Sequence, residues 1–136
     1  MTISAVVPLL NEEESLRELY RRLSENLNSE GSWEIIFIDD GSTDGSLEVL
    51  KNLHAEDPRV RVISFRKNYG KSAALNAGFD AAQGRYVITL DADLQDDPAE
   101  IPNLVSKLEE GFDLVSGWKR KRHDPISKTI PSRLFN

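Results

Sequence analysis

Three acidic clusters and one lysine carry most of the chemistry this sequence offers. Asp91-Ala92-Asp93 places two carboxylates at i and i+2, and Gln95 adds a neutral oxygen two residues on. In a turn such groups converge on one hard cation, and an all-oxygen set selects Mg2+ or Mn2+ over zinc. That cation is useful where a diphosphate must be neutralised as it leaves. The plainer alternative is a polar turn that caps the next helix, with Asp96 and Asp97 as its first-turn acids. Asp39-Asp40 precedes Gly41-Ser42-Thr43-Asp44-Gly45. Adjacent acids at a buried strand's end are costly unless they are paired, solvated or bound to something. Asp40 suits a hydrogen bond to a base or ribose, and Asp44 suits an N-cap. Asp39 is a further candidate for ligand contact. Glu12 either faces the same cleft as Asp40 or serves as a helix-start carboxylate. Lys71, in Asn68-Tyr69-Gly70-Lys71-Ser72, is a phosphate or base contact at a helix N-terminus, or else a surface lysine. Asn76 either reaches a ligand or bonds a neighbouring loop. Neither the Walker sequence nor G-x-G-x-x-G occurs. His54 and His123 are isolated and read as surface residues.

The elements that must position these groups alternate in type. Ile3 to Leu9 is an apolar run too short for a buried helix, and Pro8 marks where that strand stops pairing. Leu16, Leu19, Tyr20, Leu23 and Leu27 share a helical face, with Glu12, Glu13 and Glu14 at its start. Glu34 to Asp39 reads as a second strand. A helix packing through Leu47, Leu50 and Leu53 follows, then a strand over Val60 to Phe65. An alanine-rich helix runs from Gly70 to Gln83, offers a small-residue face, and is ended by Gly84. Tyr86 to Leu90 is a fourth strand. Pro98 opens a helix with the face Ile101, Leu104, Val105 and Leu108, and Phe112 to Ser116 is a fifth strand. This order predicts an α/β fold with a doubly wound, mostly parallel sheet. Ligands then bind beyond the carboxyl ends of the strands, where all three acidic clusters fall.

Composition narrows the classes. The 136 residues suit one domain and one core. The absence of cysteine excludes disulfides, zinc ribbons and thiol catalysis. No apolar run approaches the ~18 residues of a membrane span. MTISAVVPLL lacks a basic leader, so we expect no signal peptide and a cytoplasmic-side location. The net charge is −6, from 17 Lys+Arg against 23 Asp+Glu. From Gly117 onward six basic residues face Asp124 alone, so this tail carries +5 and residues 1–116 carry −11. The acidic body argues against nucleic-acid binding. The basic tail either meets phosphates or an anionic membrane surface, or is a solvated end. We therefore divide the chain into a core over 1–117 and a basic segment over 118–136.

The segments VVPLLNEEESL, FIDDGSTDGS, RKNYGKSAALNAGFDAAQGRYVITLDADLQDDPAEIP and DLVSGWKRKR together resemble the inverting glycosyltransferases of family 2, which have the GT-A fold. Four motifs in order are far more specific than any one. DADLQDDP after NYGKSAALNAGF looks most like the polyprenyl-phosphate glycosyltransferase branch, which includes dolichol-phosphate and undecaprenyl-phosphate enzymes. The resemblance implies that Pro8, Leu10 and Glu12 line a nucleotide-base pocket and that Asp40 reaches the base or ribose. Leu10 stands where many relatives carry an aromatic. Asp91 would lie near ribose and metal, with Asp93 and Gln95 holding Mg2+ or Mn2+ against the donor diphosphate. Asp91 and Asp93 are then the catalytic pair. Lys71, on its own reading as a phosphate or base contact at a helix N-terminus, is grouped with the nucleotide-sugar site. Lys119 falls where relatives place an arginine near the phosphates, and lysine keeps the charge without the bidentate fork.

The function expected from this resemblance is metal-dependent sugar transfer from a nucleotide-diphosphate sugar to an acceptor, polyprenyl phosphate first. Its alternatives are a saccharide acceptor or a non-catalytic nucleotide-sugar-binding module. A D-x-D phosphatase would carry its motif on the first strand, and a phospho-receiver would not require Asp91-Ala92-Asp93. The family's acceptor-side and membrane-anchoring segments follow this region, so the chain reads as the donor-binding half of an enzyme at the inner or plasma membrane. Self-association is left open.

Overall fold

The computed structural model describes residues 1–94, 97–109 and 114–116. Five strands, β1 (Ile3–Leu9), β2 (Trp33–Asp39), β3 (Val60–Ser64), β4 (Tyr86–Thr89) and β5 (Leu114–Ser116), form one sheet in the order β3-β2-β1-β4-β5. Every neighbouring pair is parallel. The connections carry helices α1 (Leu16–Leu27), α2 (Ser46–Glu56), α3 (Lys71–Ala81) and α4 (Ile101–Glu109). This is the expected doubly wound α/β architecture.

β1 and β2 are buried along their whole lengths because helices cover both faces of the sheet. On one face Leu16, Leu19, Leu23 and Leu27 of α1 join Leu50 and Leu53 of α2 and Ile101, Leu104 and Val105 of α4. On the other, Ala74 of α3 meets Val6, Ile36 and Ile38, with Leu75 and Phe79 at the margin. The small-residue face of α3 is used fully. A Cβ on Gly78 would lie 2.4 Å from Val6 Cγ1 and 2.9 Å from Ile38 Cδ1. Glu34 interrupts this apolar face. Its carboxylate accepts from Ser4 Oγ at 2.6 Å, Gln83 N at 2.7 Å and Arg61 Nη1 at 2.8 Å, tying the end of α3 to three strands. Burial opposes its ionisation, but these donors together outweigh that and hold its pKa below the ordinary value.

Several local expectations are corrected. Gly84 does not end α3, which stops at Ala81 with Ala82 extended. Gly84 instead lies against β1, where a Cβ would sit 2.6 Å from Ser4 N. α1 begins only at Leu16, after Ser15, so Glu12, Glu13 and Glu14 precede the helix rather than forming its first turn. The N-cap position of α2 is Gly45, one residue after Asp44. Val49 packs at the core's margin, while Leu47 is only half-buried. Pro98 opens a short 3-10 turn, Pro98–Glu100, and α4 follows it. The side chain of Leu108 lies outside the described residues.

Candidate functional site

The site begins where the strand order reverses, between β1 and β4. In a parallel strand alternate residues point their backbone groups to opposite neighbours. Val6 O accepts from Leu90 N on the β4 side at 3.2 Å, and Leu9 O accepts from Asp40 N on the β2 side at 2.9 Å. Pro8 therefore turns its missing N–H toward β4. The β1–β4 register runs only to Val6, opposite Thr89, whereas β1 stays paired with β2 through Leu9. So Pro8 ends pairing with β4 alone, and a gap opens beside it at the strand ends.

The loops after β1 and β2 are laced together over this gap. Asn11 adopts the left-handed φ of 55° that asparagine tolerates. Its N–H donates to Ser42 Oγ at 2.8 Å, while its Oδ1 accepts from Thr43 N at 2.8 Å and Asp44 N at 3.2 Å. Glu12 N donates to Ser46 Oγ at 3.0 Å. The Glu13 carboxylate accepts from Gly45 N and so serves the start of α2 rather than of α1. Asp44 accepts from Ser46 N at 2.9 Å and Glu13 N at 3.3 Å. Desolvation opposes its ionisation, but these hydrogen bonds prevail and lower its pKa. Asp39 Oδ1 accepts from Ser42 N at 2.9 Å, so this buried carboxylate holds the turn.

Asp40 is buried, and its carboxylate faces the loop that leads into α3. It accepts from Tyr69 N at 2.8 Å, Gly70 N at 3.1 Å and Asn68 Nδ2 at 3.1 Å. Gly41 makes this contact feasible. Its φ is 81°, and a Cβ there would lie 2.3 Å from the Lys67 carbonyl carbon. Asp40 thus sets the position of Gly70 and, next to it, of Lys71 at the first turn of α3.

Asp91 lies two residues past the end of β4, and its Oδ1 lies 2.9 Å from Lys71 Nζ. The turn after it is pinned from the residue before α1, because Ser15 Oγ donates to Ala92 O at 2.7 Å. Leu94 packs against the core at a φ of 65°, rare for a branched side chain. The result is an open cleft of about 370 Å³. Pro8, Leu10 and Glu12 line it from the β1 loop, and Asp40 lines it from β2. Asn68, Gly70 and Lys71 close one side, and Asp91, Ala92 and Asp93 the other.

Seven of the residues singled out from sequence therefore share one cleft: Pro8, Leu10, Glu12, Asp40, Lys71, Asp91 and Asp93. Gln95, Lys119 and His123 lie outside the described residues. Asn76 is exposed and does not line the cleft, and His54 is exposed elsewhere, bonded to Val60 O. Sequence reading missed Ser15 and Ser46 and gave no role of their own to Asn11 and Asn68, because these roles depend on loops meeting across the fold. Asn11 carried one faint signal, an asparagine directly after a strand end.

Among the described residues no three His, Cys, Asp or Glu side chains converge on one point. Two carboxylates on one wall of the cleft, Asp91 and Asp93, suit Mg2+ or Mn2+. Such ions are commonly held by one or two carboxylates together with substrate phosphates and water.

Residues 4–135 match the sequence profile described as Glycosyl transferase family 2. The chain is 45% identical over 136 residues to an undecaprenyl-phosphate 4-deoxy-4-formamido-L-arabinose transferase of Salmonella paratyphi B, a match covering 98% of this chain and 42% of the relative. It thus spans less than half the length of such curated relatives. Among solved structures, the mannosyltransferase PcManGT of Pyrobaculum calidifontis, in complex with GDP-Man and Mn2+, is 25% identical with a TM-score of 0.71, over 81% of this chain and 33% of that one. Glucosyl-3-phosphoglycerate synthase of Mycobacterium tuberculosis, in complex with UDP, is 30% identical with a TM-score of 0.63, over 81% of this chain and 40% of that one.

Proposed function

This chain belongs to glycosyl transferase family 2, and from that premise we propose that it is the donor-binding part of an enzyme transferring a sugar from a nucleotide-diphosphate sugar to polyprenyl phosphate. The observation that carries the reading is the single cleft that gathers Glu12, Asp40, Lys71, Asp91 and Asp93 at the β1–β4 gap. The base or ribose lies toward Pro8, Leu10, Glu12 and Asp40. The diphosphate lies toward Lys71, Asp91 and Asp93, and the family motifs alone assign Gln95 and Lys119 to the same role. Identity to an undecaprenyl-phosphate sugar transferase supports the acceptor class.

Transfer with inversion joins an acceptor oxygen to the anomeric carbon as the bond from that carbon to the diphosphate breaks. A lipid monophosphate has a second pKa near ~6 and is largely anionic at neutral pH. Its oxygen is already nucleophilic, so no base from this chain is required. Asp91 and Asp93 would hold Mg2+ or Mn2+, which when bound supplies positive charge to the leaving diphosphate. Lys71 adds a second cation on the same side. The acceptor surface belongs to the part of the enzyme beyond this chain. No helix among the described residues is long and apolar enough to cross a membrane. In this reading the full-length protein works at the cytoplasmic face of the membrane, where segment 118–136 attracts lipid phosphate at ~1 kcal/mol per basic residue.

Calorimetric titration with UDP-sugars and GDP-sugars, with and without Mn2+, tests donor binding. Asp93→Ala is expected to lose the metal-dependent part of the affinity while keeping its thermal transition. Full Mn2+-dependent affinity in that variant would remove the metal assignment. Radiolabelled transfer by the full-length protein tests the acceptor. Transfer to a soluble saccharide and to no polyprenyl phosphate would move the enzyme to another branch of the family.

A further inference from the structure

We propose that Lys71 is a counter-ion that keeps Asp91 closed to a free divalent cation and releases it to the cation only when a diphosphate is bound. The inference rests on the donor-site reading above and concerns the order in which its parts assemble. Lys71 Nζ lies 2.9 Å from Asp91 Oδ1, and both residues line the cleft. The two come from opposite walls, the first turn of α3 and the segment just after β4. Neither wall is free to drift. Asp40 anchors Gly70, beside Lys71, at 3.1 Å, and Ser15 anchors Ala92, beside Asp91, at 2.7 Å. The ion pair is thus a built contact across the cleft.

An ammonium and a divalent cation compete for the same carboxylate. A cation bound to Asp91 would also repel the Lys71 charge at close range. Metal binding to the empty cleft therefore works against the existing pair. A diphosphate changes the balance because its oxygens give Lys71 a new anionic partner at the N-terminus of α3, a favourable place for phosphate. Asp91 is then free for the metal, which itself binds the diphosphate. Metal and nucleotide thus favour each other, and the coupling is reciprocal. The side chains are 50% exposed for Lys71 and 25% for Asp91. An ion pair this accessible contributes modestly, so the penalty on metal alone is about threefold to fivefold in affinity.

The test uses the full-length protein as wild type, Lys71→Met, Lys71→Arg and Asp93→Ala. Mn2+ is titrated calorimetrically alone and with saturating UDP or GDP, subtracting metal–nucleotide association in buffer. Lys71→Met is expected to bind Mn2+ alone about threefold to fivefold more tightly than wild type, and the gain that nucleotide confers is expected to shrink by the same factor. Lys71→Arg, which keeps the charge, is expected to stay near wild type in metal-alone affinity. Asp93→Ala keeps the Lys71–Asp91 pair and is expected to lose Mn2+ binding in both conditions. Metal-alone affinity in Lys71→Met equal to or weaker than wild type overturns the inference but leaves the donor site standing if wild type binds Mn2+ with nucleotide. No Mn2+ binding by any of the proteins, with or without nucleotide, overturns the donor-site reading and this inference together.

Discussion

The Ser15 hydroxyl donates to the carbonyl of Ala92 at 2.7 Å, joining residues 77 apart in sequence. The same hydroxyl lies 3.4 Å from Glu12 Oε1. One small side chain thus connects the loop assigned to the nucleotide base with the turn assigned to the metal. Ser15→Ala is expected to leave the Ala92 carbonyl without this donor and to cost about 1 kcal/mol in urea denaturation. Calorimetry should show a several-fold loss of nucleotide affinity in the presence of Mn2+, and Ser15→Thr, which keeps the hydroxyl, should restore most of it. Loss of stability with unchanged affinity would reduce Ser15 to a structural role.

Asp40 accepts from Tyr69 N, Gly70 N and Asn68 Nδ2. Asp40→Ala is expected to lower both stability and metal-free nucleotide affinity, because two backbone donors lose their partner at about 1–3 kcal/mol each. Asp40→Asn should rescue little, since its amide nitrogen would face donors. Thermal melting and UDP or GDP titration check this pair of effects. Normal stability with lost affinity would mean that Asp40 serves the ligand alone.

Asp57 titrates far below its usual range. Its carboxylate accepts from Arg59 Nε and Nη2, each at 3.0 Å, and from the Tyr20 hydroxyl at 2.6 Å. The Arg59 guanidinium also stacks on Trp33 at 3.8 Å. The Arg59 hydrogen bonds are the main cause that brings the Asp57 pKa from 3.8 to about 2. A depressed carboxylate stabilises the fold above its unfolded pKa and loses that contribution as pH falls through the folded value. Asp57→Asn should therefore be less stable than wild type at pH 7, by about 1–2 kcal/mol. The gap should close between 3.8 and about 2. Urea midpoints at several pH values measure it, and a gap that does not vary with pH would exclude ionisation as its source.

Gly78→Ala places a methyl 2.4 Å from Val6 Cγ1. Alanine gains about 1 kcal/mol in helix propensity, but overpacking costs about 1–3 kcal/mol. We expect a lower melting temperature with α-helical circular dichroism retained. A higher melting temperature would mean that α3 can lift from the sheet without loss.

Local chemistry made much of this protein legible in one dimension. The apolar runs of β1 and β2 and the periodic leucines of α1 encode a strand–helix alternation, because burial on both sheet faces demands unbroken hydrophobicity and burial on one helix face demands a 3.6-residue repeat. With parallel order, the carboxyl-end rule then placed Glu12, Asp40, Asp91 and Asp93 on one side of the sheet. Sequence could not say which atoms meet there. That Ser15 reaches Ala92, that Asp40 holds Gly70, and that Lys71 pairs with Asp91 depend on loops separated by 77, 30 and 20 positions. Such contacts form only after the strands have set the distances between loops, and no local propensity encodes them. The same reason explains the misplaced helix ends. Gly84 reads locally as a stop signal, but the close approach of β1 at Ser4 is what requires a glycine there.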